Sequence, residues 1–233
     1  MEKGVSFQRH FFGLDKRVHH TLDDALMSYS TLYISLGLGR AFDPAHPIWQ
    51  QYLAGLRVEP DAVEWTYAFY QRQQTDPQVL FFGCFSYAYI SESKVVRPHF
   101  TNRDTSRYGP LSQAQMETRL QELSAMFADI RTKHPEAEEV RGCSWLYHIE
   151  AYKRLFPTEY TQNMEVADEE FPFLALWGQF LTKEGQVREK MVSNFLHCVE
   201  EQETLEAIKQ CFPYLPLRPN CSIGYFYRFY DIL

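Results

Sequence analysis

The sequence predicts an α+β fold, with a mixed sheet of about four to five strands and helices packed on it. Three observations support this class. Helical patterns fill the N-terminal part, a hairpin pattern of β-branched and aromatic residues follows, and a long amphipathic helix then leads to a further strand before helices return. Of the 233 residues, 45% are hydrophobic and 23% charged, the balance of a globular chain with a sizeable core.

The chain length favours a single domain over residues 1–233, with two intimate subdomains as the alternative. The order of the patterns divides this domain into three parts. These are a helical N-terminal part (1–76), a sheet-containing core (77–181) and a helical C-terminal part (182–233).

Three helices are predicted in the N-terminal part. Thr21-Leu-Asp-Asp24 has the form of a capping box and predicts a helix from about Asp23 to Leu36, which Gly37 ends. Proline is tolerated in the first turn of a helix, so helices over Pro47–Leu56 and Pro60–Gln73 follow.

The core part begins with a predicted hairpin. Val79–Ile90 and Lys94–Phe100 are rich in strand-forming residues and flank the turn Ser91-Glu-Ser93. Ser112 is the predicted N-cap of a long amphipathic helix that runs to about Ile130. A third strand over Glu139–Leu146 follows this helix, so we expect it to lie parallel to the second strand.

The remaining patterns are weaker. They are, in chain order, a helix over Ile149–Phe156, a strand over Asn163–Ala167, a segment open between strand and helix over Leu174–Leu181, and helices over Val187–Val199 and Leu205–Phe212. The aromatic tail Ser222–Leu233 must pack against something, and Ser222 as an N-cap favours helix over strand.

Charge and composition exclude several classes of partner. The net charge is −7 and Lys and Arg form no block, so no nucleic-acid partner is expected. No apolar run reaches the roughly 20 residues of a membrane-spanning helix, and the N-terminus has no apolar signal stretch. We therefore expect a cytoplasmic protein without a membrane partner, whether monomer or homo-oligomer.

The cysteines indicate the same compartment. The five are odd in number and form no Cys-x-x-Cys pair, so we expect free thiols and no cysteine zinc site. Their positions are Cys84, Cys143, Cys198, Cys211 and Cys221.

Polar side chains cluster where the second and third strands end. One group is His99, Asn102 and Arg103, and the other is formed by Arg141, Cys143, Ser144, Trp145 and His148. Because the carboxyl ends of neighbouring parallel strands meet at one edge, where open sheets bind ligands, the two groups predict a small-molecule site. The alternative is that both histidines are structural and hydrogen-bonded.

Three of these residues are catalytic candidates. His99 and His148 are candidate general bases, and Cys143 with His148 is a candidate nucleophile–base pair. Trp177 and Gln179, in the run Trp177-Gly-Gln-Phe180, either line the substrate pocket or form a turn with core aromatics.

Metal and nucleotide motifs are weak or missing. His19, His20, Asp23 and Asp24 have helix-like spacing, but the two acids are explained as favourable charges at a helix start, so no metal is predicted. No phosphate loop and no His-Glu-x-x-His motif occurs.

Four segments together resemble a known family. They are Val95-Val-Arg-Pro-His-Phe100, Gly109-Pro-Leu-Ser112, Cys143-Ser-Trp-Leu146 and Arg154-Leu-Phe-Pro157. Over residues 95–157 the chain resembles the C-terminal region of acyltransferase-like proteins related to the GNAT N-acyltransferases. The resemblance implies a GNAT-like core, acyl transfer to an amine, and acyl-CoA as donor. The Gln/Arg-x-x-Gly-x-Gly/Ala stretch with which that family holds the pyrophosphate does not precede the long helix, so the cofactor stays open.

Two hypotheses of function follow. The first is a cytoplasmic small-molecule enzyme in which His99 or His148 deprotonates an amine and Arg103 holds an anionic group. The second is a non-catalytic binding or interaction module that uses the aromatic tail as its surface. The tail residues in question are Tyr225, Phe226, Tyr227, Phe229 and Tyr230.

Overall fold

The computed structural model describes most of the chain. The described residues are 32–39, 41–73, 79–167, 173–184, 186–202 and 205–232. Most of the predicted helix over Asp23–Leu36, and the four His and Asp residues near it, lie outside these ranges. The described elements confirm the α+β class.

The elements are as follows. The helices are α1 (Leu32–Ser35), α2 (Pro47–Val58), α3 (Ala62–Gln73), α4 (Met116–Lys133), α5 (Glu150–Lys153), α6 (Thr158–Thr161), α7 (Glu189–Glu200), α8 (Leu205–Ile208) and α9 (Ile223–Phe229). The strands are β1 (Phe85–Ile90), β2 (Val95–Phe100), β3 (Glu139–Arg141), β4 (Glu165–Val166), β5 (Leu217–Arg218) and β6 (Asn220–Ser222). Short 3₁₀ helices span Ser91–Ser93, Gln113–Gln115, Trp145–His148, Phe173–Phe180 and Lys209–Cys211.

The chain divides into two compact units. The first unit comprises residues 1–77, 171–180 and 188–213, and the second comprises 78–170, 181–187 and 214–233. The expectation of a single domain stays a prediction.

Helices α2 and α3 of the first unit form where the sequence predicts them. Pro47 stands at the start of α2, and Trp49, Tyr52 and Leu53 on its buried face join an aromatic cluster. Gly55 lets the Trp65 ring lie directly on the α2 backbone, since an added Cβ would collide with that ring. The Trp65 indole also donates to Tyr52 O at 3.1 Å.

A second aromatic cluster in this unit gathers around the 3₁₀ helix Phe173–Phe180. The sequence leaves Leu174–Leu181 open between strand and helix, and the segment forms a helix of the 3₁₀ type. The rings of Trp177, Phe180, Phe195 and Phe212 contact one another at centroid distances from 4.7 to 6.0 Å.

The expectation of five free thiols is wrong for one pair. Cys198 and Cys211 form a disulfide, with their Cα atoms 5.6 Å apart. The chain reverses direction between α7 and the 3₁₀ helix Lys209–Cys211, which brings together two residues 13 apart in sequence. Such a tertiary reversal leaves no local cysteine motif. Cys84, Cys143 and Cys221 form no disulfide.

The second unit contains a four-stranded sheet of order β1-β2-β3-β6. β1 and β2 form the predicted antiparallel hairpin. β2 and β3 are neighbours and parallel, as predicted, and α4 connects them. β3 pairs antiparallel with β6, and β4 and β5 form a separate two-stranded ladder.

Helix α4 packs on one face of this sheet. Its residues Leu123, Met126, Phe127 and Ile130 are fully buried in one core with Val96 and Val140 of the strands. The predicted cap at Ser112 is wrong, because the 3₁₀ turn Gln113–Gln115 intervenes before α4 and Ser112 Oγ caps nothing.

The aromatic tail forms the favoured helix. Ser222 Oγ accepts from Gly224 N at 3.4 Å and caps α9. The side chains of Phe226 and Tyr230 enter the core and stack on Phe127 at centroid distances of 4.6 and 5.4 Å. In the described ranges, no helix combines the length and apolar character needed to cross a bilayer.

Candidate functional site

The ladder between β2 and β3 stops after two residue pairs. These are Val95 with Glu139 and Val96 with Val140. Thr101 N donates to Cys84 O. The odd-numbered residues of β2 therefore direct their backbone N–H and C=O groups toward β1, and the even-numbered residues direct theirs toward β3. The next donor toward β3 would be the N–H of residue 98, and that residue is Pro98, which has none.

Beyond this point the chain of β3 follows a different neighbour. Gly142 N donates to Pro219 O at 3.0 Å, and Ser144 and Leu217 exchange both backbone hydrogen bonds. Residues 142–144 therefore stay extended alongside 217–219, while the end of β2 stays paired only with β1. The hydrogen-bonded pairing between β2 and β3 is therefore interrupted at the carboxyl ends of these two strands.

At this interruption, polar side chains form a row that runs across neighbouring strands of the sheet. Ser86 of β1 is the register partner of His99 in β2, so both lie on the same face. His99 stands three residues after Val96, and Cys143 stands three after Val140, so both lie on the face opposite these two core valines, at positions that would be neighbours if the ladder continued. Arg218 lies opposite Cys143, because the pairing of Ser144 with Leu217 fixes that register. We call Ser86, His99, Cys143 and Arg218 the polar row.

The level next to the polar row carries two guanidinium groups. Ala88, Arg97 and Arg141 lie there on the same face. Arg141 makes a forked contact with the Glu139 carboxylate, with its Nη2 2.9 Å from Oε2. Arg97 and the partly neutralised Arg141 make this face suitable for an anionic group.

His99 is held in the form that accepts a proton. The His99 side chain is exposed, but partial desolvation by the neighbouring protein atoms, and after it the positive charge of Arg97, lower the pKa of His99 below its ordinary value. At neutral pH the ring is therefore uncharged and has an acceptor nitrogen. Within the described part of the chain the His99 ring makes no hydrogen bond.

The opposite face of the interrupted edge is filled. An added Cβ at Gly142 would collide with the hydroxyls of Tyr147 and Tyr160, which lie 3.0 Å from each other. Tyr152 packs against Phe100 at the end of β2. Burial raises the pKa of the three tyrosines well above the usual range, so they stay protonated. These tyrosines therefore occupy the face opposite the polar row.

The two predicted binding residues after β2 are occupied in its loop. Asn102 Nδ2 donates to Lys183 O at 3.2 Å, and Asn102 Oδ1 accepts from Asp104 N. The Arg103 guanidinium lies over the Phe81 ring, 4.0 Å from its centroid. Both residues are exposed, so Arg103 stays available to solvent on the loop that leaves β2.

The residues after Cys143 form a separate small cluster. Ser144 Oγ accepts from Leu146 N at 3.1 Å and caps the 3₁₀ helix that follows. Trp145 stacks on Tyr214, and His148 Nε2 lies 2.9 Å from Leu215 O. A carbonyl oxygen only accepts, so Nε2 carries a proton and only Nδ1 of His148 is left as a base.

Trp177 and Gln179 lie in the first unit. Trp177 belongs to the aromatic cluster described above. Gln179 is 1% exposed, and its Nε2 donates to Leu176 O at 2.9 Å. Both residues therefore contribute to the interior of that unit.

Three residues of this face were not predicted from the sequence. They are Ser86, Arg97 and Arg218. Ser86 could have been found from the hairpin, because a short turn fixes which residue faces His99 across the two strands. Arg218 could not, since it comes from a strand far along the chain.

The acyl-CoA that the family resemblance implies does not fit the segment before α4. Three backbone amides there already donate within turns. They are those of Ser112 to Gly109 O, Gln115 to Ser112 O and Met116 to Gln113 O. A pyrophosphate would need such amides free. We therefore derive no step through CoA.

No group of three or more metal-ligand side chains occurs among the residues that the structure describes. Neither a protein-family model, nor a curated protein, nor a solved structure matches this chain.

Proposed function

We propose that this chain is a small-molecule enzyme that transfers an acyl group to an amine, with its active site on the polar row. One observation carries the proposal. His99 is an exposed histidine without a hydrogen bond to the described protein, at the carboxyl end of β2 and on the same face as its register partner Ser86 and as Cys143. This edge of a sheet is where open sheets bind ligands.

The proposed chemistry uses His99 as the general base. His99 takes a proton from the acceptor amine, whose nitrogen attacks the carbonyl carbon of an activated acyl ester. The new C–N bond forms, the C–O bond to the leaving group breaks, and the proton passes from His99 to the departing oxygen. Arg97 and Arg103 supply positive charge for an anionic part of the substrate. A donor ester is proposed because the pyrophosphate of CoA has no cradle here.

His99→Ala tests this role. The assay uses p-nitrophenyl acetate as donor and a panel of primary amines as acceptors, and mass spectrometry measures the amide formed. The rate of amide formation in His99→Ala should be about 10²–10⁴-fold lower than in wild type, the usual contribution of a general base. His197→Ala is the matched control, since His197 is exposed on α7 in the first unit and should leave the rate unchanged.

The pH profile gives a second readout. A base works only when it is unprotonated, so the wild-type rate should fall as pH drops through the lowered pKa of His99, below its ordinary value of 6.5. An unchanged rate in His99→Ala would contradict the proposal, and so would an acid limb above that value with an acceptor amine whose own pKa lies well below it.

The interaction-module hypothesis has less support from the tail. Phe226 and Tyr230 are buried, Tyr225 and Tyr227 are half-buried, and Phe229 alone among the five named side chains is exposed. An apolar surface for a partner would need more of these rings outside.

The setting of the enzyme is part of the same proposal. We propose a small-molecule ligand as its partner, no nucleic acid because of the charge of −7, and a cytoplasmic location. Cys84, Cys143 and Cys221 form no disulfide, which supports a reducing compartment. The Cys198–Cys211 disulfide is instead typical of an oxidising compartment. Monomer and homo-oligomer both stay open.

A further inference from the structure

We propose that Ser86 is the nucleophile of this site, so that the acyl group passes through an ester on Ser86 Oγ before it reaches the amine. This inference rests on the proposed function and deepens it, because it replaces direct transfer by a covalent acyl-enzyme. Ser86 and His99 then act as a nucleophile–base pair.

The register sets the distance between the two residues. Thr101 N donates to Cys84 O, so the pair two positions inward, Ser86 with His99, is also of the hydrogen-bonded type. In such a pair the Cα atoms lie about 5.5 Å apart with both side chains on one face. No hydrogen bond joins the two side chains in this structure, so a change of rotamer must bring the serine hydroxyl to an imidazole nitrogen.

The Ser86 hydroxyl forms no hydrogen bond within the described part of the protein. The Ser86 side chain is 5% exposed. Ser86 Oγ is not among the fully enclosed polar atoms that lack a partner, so the hydroxyl keeps some contact with solvent. His99 on the opposite strand is exposed and likewise makes no hydrogen bond to a described residue.

Cys143 is the competing nucleophile on the polar row. The β1–β2 ladder is intact at Ser86 and His99, so their spacing is fixed by backbone hydrogen bonds. The β2–β3 ladder has already stopped before the level of Cys143. Of the two nucleophiles beside His99, Ser86 is therefore the one whose position relative to the base is set by sheet pairing.

The covalent step balances as follows. His99 takes the proton of Ser86 Oγ, the Oγ–acyl bond forms, the C–O bond of the donor ester breaks, and the leaving oxygen takes the proton from His99. His99 then takes a proton from the amine, whose nitrogen attacks the serine ester. The C–N bond forms, the acyl C–Oγ bond to Ser86 breaks, and Ser86 Oγ takes the proton from His99.

The test is rapid mixing of the full chain with p-nitrophenyl acetate, followed by quenching and peptide mapping. We expect a burst of about one p-nitrophenolate per chain and an acetyl group on the peptide that contains Ser86. Ser86→Ala should lose both the burst and the label. Ser86→Cys should recover the label as a thioester, which also shows that position 86 tolerates substitution.

Ser93→Ala is the matched control, because Ser93 is an exposed serine in the turn of the same hairpin and should behave as wild type. An acetyl group on Cys143 instead of Ser86 would overturn the inference. So would amide formation that survives in Ser86→Ala and still depends on His99, in which case the proposed function stands with direct transfer. A labelled Ser86 that never yields an amide with any amine would support the acyl-enzyme and remove amine transfer.

Discussion

Replacement of Arg119 by methionine is expected to destabilise the second unit by about 3–5 kcal/mol, the cost of breaking a buried ion pair. The Arg119 side chain is 5% exposed, and its Nη2 lies 3.1 Å from the Asp104 carboxylate. Its Nη1 contacts Cys84 Sγ and lies 3.3 Å from Glu122 Oε2. Removing the guanidinium leaves the carboxylates of Asp104 and Glu122 close together without their cation. Methionine fills much of the volume of the arginine side chain.

Urea unfolding measures this loss, and Lys133→Met on the same helix is the control. Lys133 is about half exposed and pairs with Asp129 at 2.9 Å, a surface pair worth only about 0–1 kcal/mol. If Arg119→Met costs no more than Lys133→Met, the buried cluster does not stabilise the fold.

The effect of Arg119→Met should also depend on pH. Hydrogen bonds from Ser106, and to a smaller extent the charge of Arg119, lower the pKa of Asp104 below 3.8. The native contribution of Asp104 is therefore present above 3.8 and is lost as pH falls through the lowered value. Without Arg119 a buried carboxylate protonates more readily, so the difference between variant and wild type should shrink as the pH is lowered.

Replacement of Phe127 by alanine is expected to cost about 3–5 kcal/mol, the usual range for a fully buried ring. Phe127 is 0% exposed and stacks on Phe226 and Tyr230 of the tail. Phe229→Ala is the matched control, because Phe229 is 43% exposed and should change the free energy of unfolding by only about 0.5 kcal/mol.

Chemical unfolding of both variants decides between two uses of the tail. A large loss for Phe127→Ala with a small one for Phe229→Ala means that the tail belongs to the core. A small loss at both positions would contradict the observed packing and reopen the tail as a partner surface.

The sheet core could be predicted from the sequence because its signals are local. β-branched and aromatic runs on either side of Ser91-Glu-Ser93 specify a hairpin, and the periodicity of α4 specifies a helix between two strands. The contacts of distant segments have no such signal. The Cys198–Cys211 pair and the strand that follows Tyr214 both depend on chain reversals that no local pattern encodes.

The candidate site was predicted only in part for the same reason. His99 and Cys143 could be placed together because a strand–helix–strand order brings two carboxyl ends to one edge. His148 and Trp145 instead contact Tyr214 and Leu215, which come from a distant segment. Pro98 was visible in the sequence, but its effect on the ladder becomes clear only when the register is known.

The polar row depends on residue 99 and Cys143 lying close together on one face at the ends of β2 and β3. Cross-linking of a His99→Cys variant, with Cys221 changed to Ser, by a short bifunctional methanethiosulfonate tests it most directly. Ala88→Cys in the same background is the control, since Ala88 is exposed on that face but lies one level away and on the far side of β2. We predict a linked 99–143 peptide for His99→Cys and none for Ala88→Cys. Equal cross-linking in both variants, or none in either, would contradict the polar row.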